Sequence, residues 1–200
     1  MTQALSKTFA RRPAAGFSLV ELTASIAILL ILSAIAVPTL MRSYRSYLLG
    51  DATSRVAGMA KLTRFEAIRR NTQISFQVQQ AGSNWNIWMD TNGNGTADRG
   101  ETAVVLTNQM AMLGSGSVPS SAPISTANGG ATLTVKSGSN AAITYDGRGA
   151  VFFGGGASAV YVFYLGIAGV PDLGARAVVL LPSGIVQVWT SSPGSWTRLS

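Results

Sequence analysis

The pattern of apolar and polar positions divides the chain into three stretches of different period. From Phe17 to Leu40 the sequence FSLVELTASIAILLILSAIAVPTL is apolar almost throughout and carries one charge, Glu21. As a helix rising about 1.5 Å per residue it would be roughly 36 Å long, more than a hydrocarbon core of about 30 Å. It reads as a transmembrane helix. A secretory signal peptide is the competing reading, because Ala34-Ile35-Ala36 has the form of a signal-peptidase site; such peptides, however, carry an apolar region of only about 7 to 15 residues. Positive charge flanks both ends, with Lys7, Arg11 and Arg12 ahead and Arg42 and Arg45 behind. The positive-inside rule therefore sets no orientation.

Past Leu40 the period changes to that of an amphipathic helix. In RSYRSYLLGDATSRVAGMAKLTRFEAIRRN, residues 42–71, the small or apolar Leu49, Ala52, Val56, Met59, Ala60, Thr63 and Ala67 recur at steps of three and four. That spacing puts them on one helix face, which is expected to lie on a core. Gly50 and Gly58 weaken the helix by about 1 kcal/mol each relative to Ala, so a break near either would fit the pattern.

After Asn71 the period falls to two. ISFQVQ and NWNIWM alternate, and AVVL, ATLTV, AITY, AVYVFYL, ARAVVLL and GIVQVW follow between clusters of Gly, Ser, Pro and Asn. These read as strands of an antiparallel domain. Residues 114–130, GSGSVPSSAPISTANGG, read as an exposed, mobile connection inside it. The fold class is therefore α+β: a long N-terminal helix, transmembrane in its first half, packed on a C-terminal antiparallel β-sheet domain.

Composition narrows the chemistry. Among 200 residues there is no cysteine and no histidine. Disulfides, thiolate metal sites and every Ser-His or Cys-His nucleophile arrangement are excluded, and the usual general base is missing. The acid and base candidates that remain, Asp146 near Arg148 and Asp172 near Arg176, have the spacing of surface ion pairs. DGRG and the glycines at Gly154 to Gly156 lack the Gly-Lys-Ser/Thr ending of a phosphate loop. Trp85, Trp88, Trp189 and Trp196 sit at strand spacing and read as core and rim. No residue is assigned a catalytic role, and the chain is not expected to be an enzyme.

The net charge of +7 is uneven. Arg42, Arg45, Arg55, Lys61, Arg64, Arg69 and Arg70 share one stretch. Such a run faces nucleic acid or anionic lipid in some proteins and is a solvated helix face in more of them.

One loop has metal-ligand spacing. In DTNGNGTADRGE, residues 90–101, Asp90, Asn92, Asn94, Gly95, Asp98 and Glu101 occupy the first, third, fifth, sixth, ninth and twelfth places of the EF-hand pattern. The flanks read as strands rather than helices, and Arg99 sits among only three carboxylates. Two readings stay open: a weak calcium site on Asp90, Asn92, Asn94, Asp98 and Glu101, or a hairpin loop whose Asx side chains bond their own backbone. No other cofactor is expected.

Glu21 raises a similar choice. A carboxylate near a helix end can reach the interface at small cost. Alternatively, cleavage between Gly16 and Phe17 would create an α-amine one helical turn from Glu21. At about 4 Å and an effective dielectric near 20, amine and carboxylate attract by about 4 kcal/mol before desolvation is subtracted.

The basic leader from Lys7 to Gly16, the Gly16-Phe17 junction, Glu21 and the apolar run with Pro38 resemble the N-terminus of a type IV pilin or pseudopilin. KLTRFEAIRRNTQISFQV, and DGRGAVFFGGG followed by two apolar strands around PSG, are similar to the GspH/FimT branch of minor pseudopilins and minor pilins. The resemblance implies a leader over residues 1–16, a transmembrane and assembly helix over 17–40, its extramembrane continuation over 41–71 and a periplasmic β-rich domain over 72–200. It implies cleavage at Gly16 and Phe17 by a prepilin peptidase, N-methylation of Phe17, anchoring in the inner membrane and its lipid, and packing with other pilin or pseudopilin subunits. In that setting Glu21 pairs with the N-terminal amine of an adjacent subunit and Pro38 interrupts the helix ladder, as proline does generally. The implied role is structural, in type II protein secretion or type IV pilus biogenesis.

Some members of this branch bind DNA for natural transformation through a Gly-Arg-x-Arg motif. Here the corresponding stretch is Ser183-Gly184-Ile185-Val186-Gln187, with Ile185 and Gln187 in place of both arginines. Without those phosphate partners, nucleic acid is the weaker of the two expectations.

Overall fold

The computed structural model describes residues 16–107, 109–130, 132–152, 159–192 and 195–200. The leader cations Lys7, Arg11 and Arg12 and the glycines at Gly154 to Gly156 lie outside the described residues. The chain divides into two units, one ending at Met41 and the other running from Arg42 to Ser200.

Helix α1, Leu19–Arg70, is the first element. In the N-terminal unit its side chains are exposed throughout, and an 18-residue window reaches a mean hydropathy of 2.4 with none of it buried. A soluble core helix of that apolarity would be covered by protein. Pro38 lies inside the helical span, and Gly50 and Gly58 do not end it.

Within the second unit the helix buries Leu49, Ala52, Thr53, Val56, Ala57, Met59, Ala60, Thr63 and Ala67, the face its spacing predicts. Alanine and threonine make up most of that face. The buried hydroxyls of Thr53 and Thr63 donate to the carbonyls of Leu49 and Met59, so neither is left unpaired. The helix stops at Arg70 because Asn71 adopts a left-handed φ of 50°. Its N–H and that of Thr72 then reach back to the carbonyls of Ile68 and Ala67.

Two sheets follow. Strands β1 (Ile74–Ala81), β2 (Asn84–Asp90) and β3 (Ala103–Leu106) belong to the first. Strand β4 (Met110–Leu113) belongs to the second, as does β5 (Thr132–Thr134) after the helical turn α2 (Ala122–Asn128). Then come β6 (Lys136–Ser137), β7 (Asn140–Tyr145) and β8 (Val151–Phe152) in the first sheet. Strands β9 (Val160–Ile167), β10 (Arg176–Leu180), β11 (Val186–Ser192) and β12 (Ser195–Arg198) complete the second. The first sheet runs β3-β2-β1-β7-β6, with β8 also on β7; the second runs β12-β11-β10-β9-β4, with β5 also on β9. All pairs are antiparallel except β5 with β9. The fold class is α+β, as the sequence predicts.

Alternation sets the register. Ile74, Phe76 and Val78 of β1 face inward, as do Ile143 and Tyr145 of β7, and they join the buried helix face and one face of β9 and β10 in a single core. Phe76 meets Phe163 of β9 edge to face, ring centres 5.2 Å apart. All four tryptophans are buried, so none sits on the rim.

Strand β9 is buried along its whole length. Its outer face, with Val160, Val162 and Tyr164, and its neighbours Ala177, Val179 and Trp189 need a cover, which Ile124 and Trp196 provide. This narrows the expectation of an exposed, mobile connection over residues 114–130: Ser115 to Ser117 and Ser120 are exposed, but the segment carries a helical turn anchored on the sheet. Ile124 is fully buried, the indole N–H of Trp196 donates to the carbonyl of Pro119, and Gly129 closes α2 in the left-handed region. The polar composition hid two apolar anchors, Ile124 and Val118, that a doubly buried sheet requires.

Candidate assembly and interaction sites

The N-terminal candidates lie on and before the first turn of α1. Gly16, Phe17 and Ser18 precede the helix and are exposed. The Glu21 N–H donates to the Ser18 hydroxyl at 3.1 Å, and the Leu22 N–H to the Ser18 carbonyl. Ser18 is thus the N-cap, and Ser18-x-x-Glu21 is one half of a capping box. Sequence reasoning missed Ser18, although Ser followed three residues later by Glu is its signature. The Glu21 carboxylate has no ionic partner among the described residues and sits where a helix N-terminus favours negative charge.

In the 90–101 loop the donors and acceptors satisfy one another. Asp90, only 2% exposed, accepts from the N–H of Gly93 at 2.7 Å and of Gly95 at 2.9 Å. Glu101 accepts from the Thr91 N–H and hydroxyl and from the Asp98 N–H. The amides of Asn92 and Asn94 both donate to Asp98, which lowers that carboxyl below its ordinary range, Asn92 contributing most. The five residues singled out by spacing thus belong to one hydrogen-bonded loop. No group of three metal-ligating acids forms a cluster among the described residues.

The basic run is largely occupied. Arg55 pairs with Asp51 at 2.8 Å, and Arg69 and Arg70 share Glu66. Arg69, then Arg70, hold the Glu66 carboxyl down at about 2. Arg42 donates to the carbonyl of Asp172 at 3.1 Å. Arg45 and Lys61 have no partner among the described residues.

Arg64 acts as a clamp. Its Nε donates to the carbonyl of Gly149 and its Nη2 to that of Ser183, tying helix α1 to two turns distant in sequence. Gly149 and Gly184 both have a φ of 79°, and a Cβ on Gly184 would stand 1.9 Å from the Gly149 carbonyl oxygen. Only glycine fits there. Asp146 builds the first of these turns by accepting from the N–H groups of Arg148 and Ala150, so it is a turn residue and not half of an ion pair. Beside the clamp, the Tyr145 hydroxyl is buried and has no hydrogen-bond partner among the described residues. Burial pushes its pKa well up, with the Arg64 charge opposing in part.

At the stretch compared with the DNA-binding motif, Ile185 is exposed and Gln187 is buried. The Gln187 amide donates to Asn128 of α2 and accepts from the Trp189 indole, both at 2.9 Å. This position faces inward and fixes α2 to the sheet.

A groove of about 840 Å³ lies between the β9–β10 connection, β4 and Arg42. Arg42 and Asp172 are its charged side chains.

Residues 11–37 match the prokaryotic N-terminal methylation motif, and residues 52–184, more than half of the chain, match the family described as type II transport protein GspH. Nothing among curated proteins or solved structures matches the chain. A family match that reaches from the buried helix face to the Gly184 turn, together with a methylation motif that spans Gly16, Phe17 and Glu21, places the chain in the GspH family of type IV pilin-like pseudopilins.

Proposed function

We propose that the protein is a minor subunit of an inner-membrane-assembled filament, cut between Gly16 and Phe17 and methylated on Phe17. Residues 17–40 hold it in the inner membrane, and the domain from Thr72 to Ser200 stands in the periplasm. The observation that carries this reading is Glu21: a carboxylate on a capped first turn, beside the methylation junction, with no partner in the described chain. The new amine of a neighbouring subunit supplies the missing charge. The family's description favours the secretion machine over the pilus.

Three measurements test it. N-terminal sequencing of membrane-extracted protein should begin at methylated Phe17; a start at Val37 would support signal peptidase and a secreted domain. Glu21→Ala should leave the protein inserted and cleaved yet lost from co-purified filament subunits. Deleting the protein should block release of secreted proteins and spare surface pili, and the reverse would assign it to the pilus.

The alternative, DNA capture, finds little support at Gln187, whose amide is spent inside the domain. Binding of duplex DNA at near-physiological salt should be weak and should vanish with charge reversal at Lys61, Arg69 and Arg70. A tight complex that survives those changes would reinstate it.

A further inference from the structure

Arg42 both lines the groove and follows closely on the apolar run in the sequence. Arg42 follows Leu40, the last residue of that run, by two positions. Along a helix this is about 3 Å, whereas the headgroup layer on each side of a bilayer is about 5 to 8 Å deep. Tilt only lowers the height further. If residues 17–40 span the membrane, as the proposed function holds, then Arg42 lies in the headgroup layer. Arg45, Tyr44 and Tyr47 follow within the next turn and a half, and both tyrosines are exposed. Guanidiniums and amphipathic rings are the residues that mark a membrane–water interface.

Arg42 also holds a piece of the β domain at that height. Its guanidinium donates to the carbonyl of Asp172, within the connection between β9 and β10. That connection, Ala168 to Gly174, has Ala168, Gly169, Pro171 and Asp172 exposed and Val170 and Leu173 half-buried. It carries one acid, Asp172, against the two guanidiniums of Arg42 and Arg45, and Arg45 has no partner among the described residues. A tip of small and apolar residues bound by Arg42, with Arg45 one turn further along the helix, suits a surface of phospholipid phosphates.

We propose that the β9–β10 connection rests on the phospholipid headgroup layer, pinned there by Arg42, with Arg42 and Arg45 facing anionic lipid phosphate. The contact fixes the height of the β domain over the bilayer while the subunit waits in the membrane. It would have to be given up when the subunit leaves for the filament.

The absence of cysteine makes the test direct. Single cysteines at Ala168, at Pro171 and, as a distant control, at Thr72 would be labelled with a fluorophore in the full-length protein. Thr72 lies past the far end of the helix, about 45 Å along it from Arg42. The protein would be reconstituted into vesicles containing anionic phospholipid and a lipid with a nitroxide on its headgroup. Labels at Ala168 and Pro171 should be quenched severalfold more than the label at Thr72. Arg42→Gln should abolish that difference while the protein still floats with the vesicles, and removal of anionic lipid should reduce it. Failure of the protein to float would overturn the membrane reading and this one together. Flotation with equal quenching at all three sites, or quenching unaffected by Arg42→Gln, would overturn the lipid contact alone.

Discussion

Helix α1 contains two apolar faces with opposite fates. Between Leu19 and Leu40 the side chains are apolar all round and uncovered, whereas from Leu49 to Ala67 they form a stripe that the two sheets bury completely. Helix propensity does not separate them. The difference is whether a partner covers the surface: the stripe is narrow, small and matched to strands folded from residues after Asn71, while the side chains from Leu19 to Leu40 are exposed among the described residues. The carboxylates repeat the division, since Glu66 has two arginines one turn away and Glu21 has no ionic partner among the described residues.

The largest effect should come from breaking the matched face. Leu49→Ala removes a fully buried side chain and should lower the stability of the second unit by about 2 to 5 kcal/mol, whereas Leu30→Ala, deleting the same atoms from an exposed position, should change it by less than about 0.5 kcal/mol. Denaturant unfolding in detergent, followed by tryptophan fluorescence, checks both. Equal losses would mean that the first half of α1 is also packed on protein.

The loop at 90–101 sharpens the same contrast for polar groups. Asp90→Ala should cost about 1 to 3 kcal/mol, because the N–H groups of Gly93 and Gly95 lose a buried acceptor. Melting temperatures in chelator, millimolar calcium and millimolar magnesium should coincide for the unaltered protein, since each carboxylate already accepts from its own loop. A rise specific to calcium would instead identify the weak site that the spacing suggests, by the stabilisation that binding to the folded form alone confers.

The smallest effect should be at Glu66. Its carboxyl is lowered from 4.5 to about 2 in the folded chain, so its contribution is complete above pH 4.5 and is lost as the pH falls toward 2. Glu66→Gln should flatten the pH dependence of melting in that window only. Because both arginines are exposed, raising the salt should shrink the difference.

Local pattern made much of this fold legible. Every residue placed on the core face of α1 by three- and four-residue spacing is buried there, and the strands that alternate or run apolar were found for the same reason. Strands β4 and β12 were missed because MAML and SWTR show no alternation long enough to detect, and α2 because its anchor Ile124 sits in a serine-rich segment. At the candidate sites, Gly16, Phe17 and Glu21 were legible as a linear motif. The Arg64 clamp was not, since its partners lie 85 and 119 positions away and no periodicity connects them.

That clamp also has a consequence for synthesis. Ser183, which accepts from Arg64, leaves the ribosome 119 residues after it. At roughly 5 to 20 residues per second, translation takes about 6 to 24 s to cover that interval. For that time Arg64 has been made and the Ser183 carbonyl that completes its clamp has not. Premature termination before Ser183 should therefore leave that end of the helix unlatched and deliver an aggregation-prone product to protein quality control.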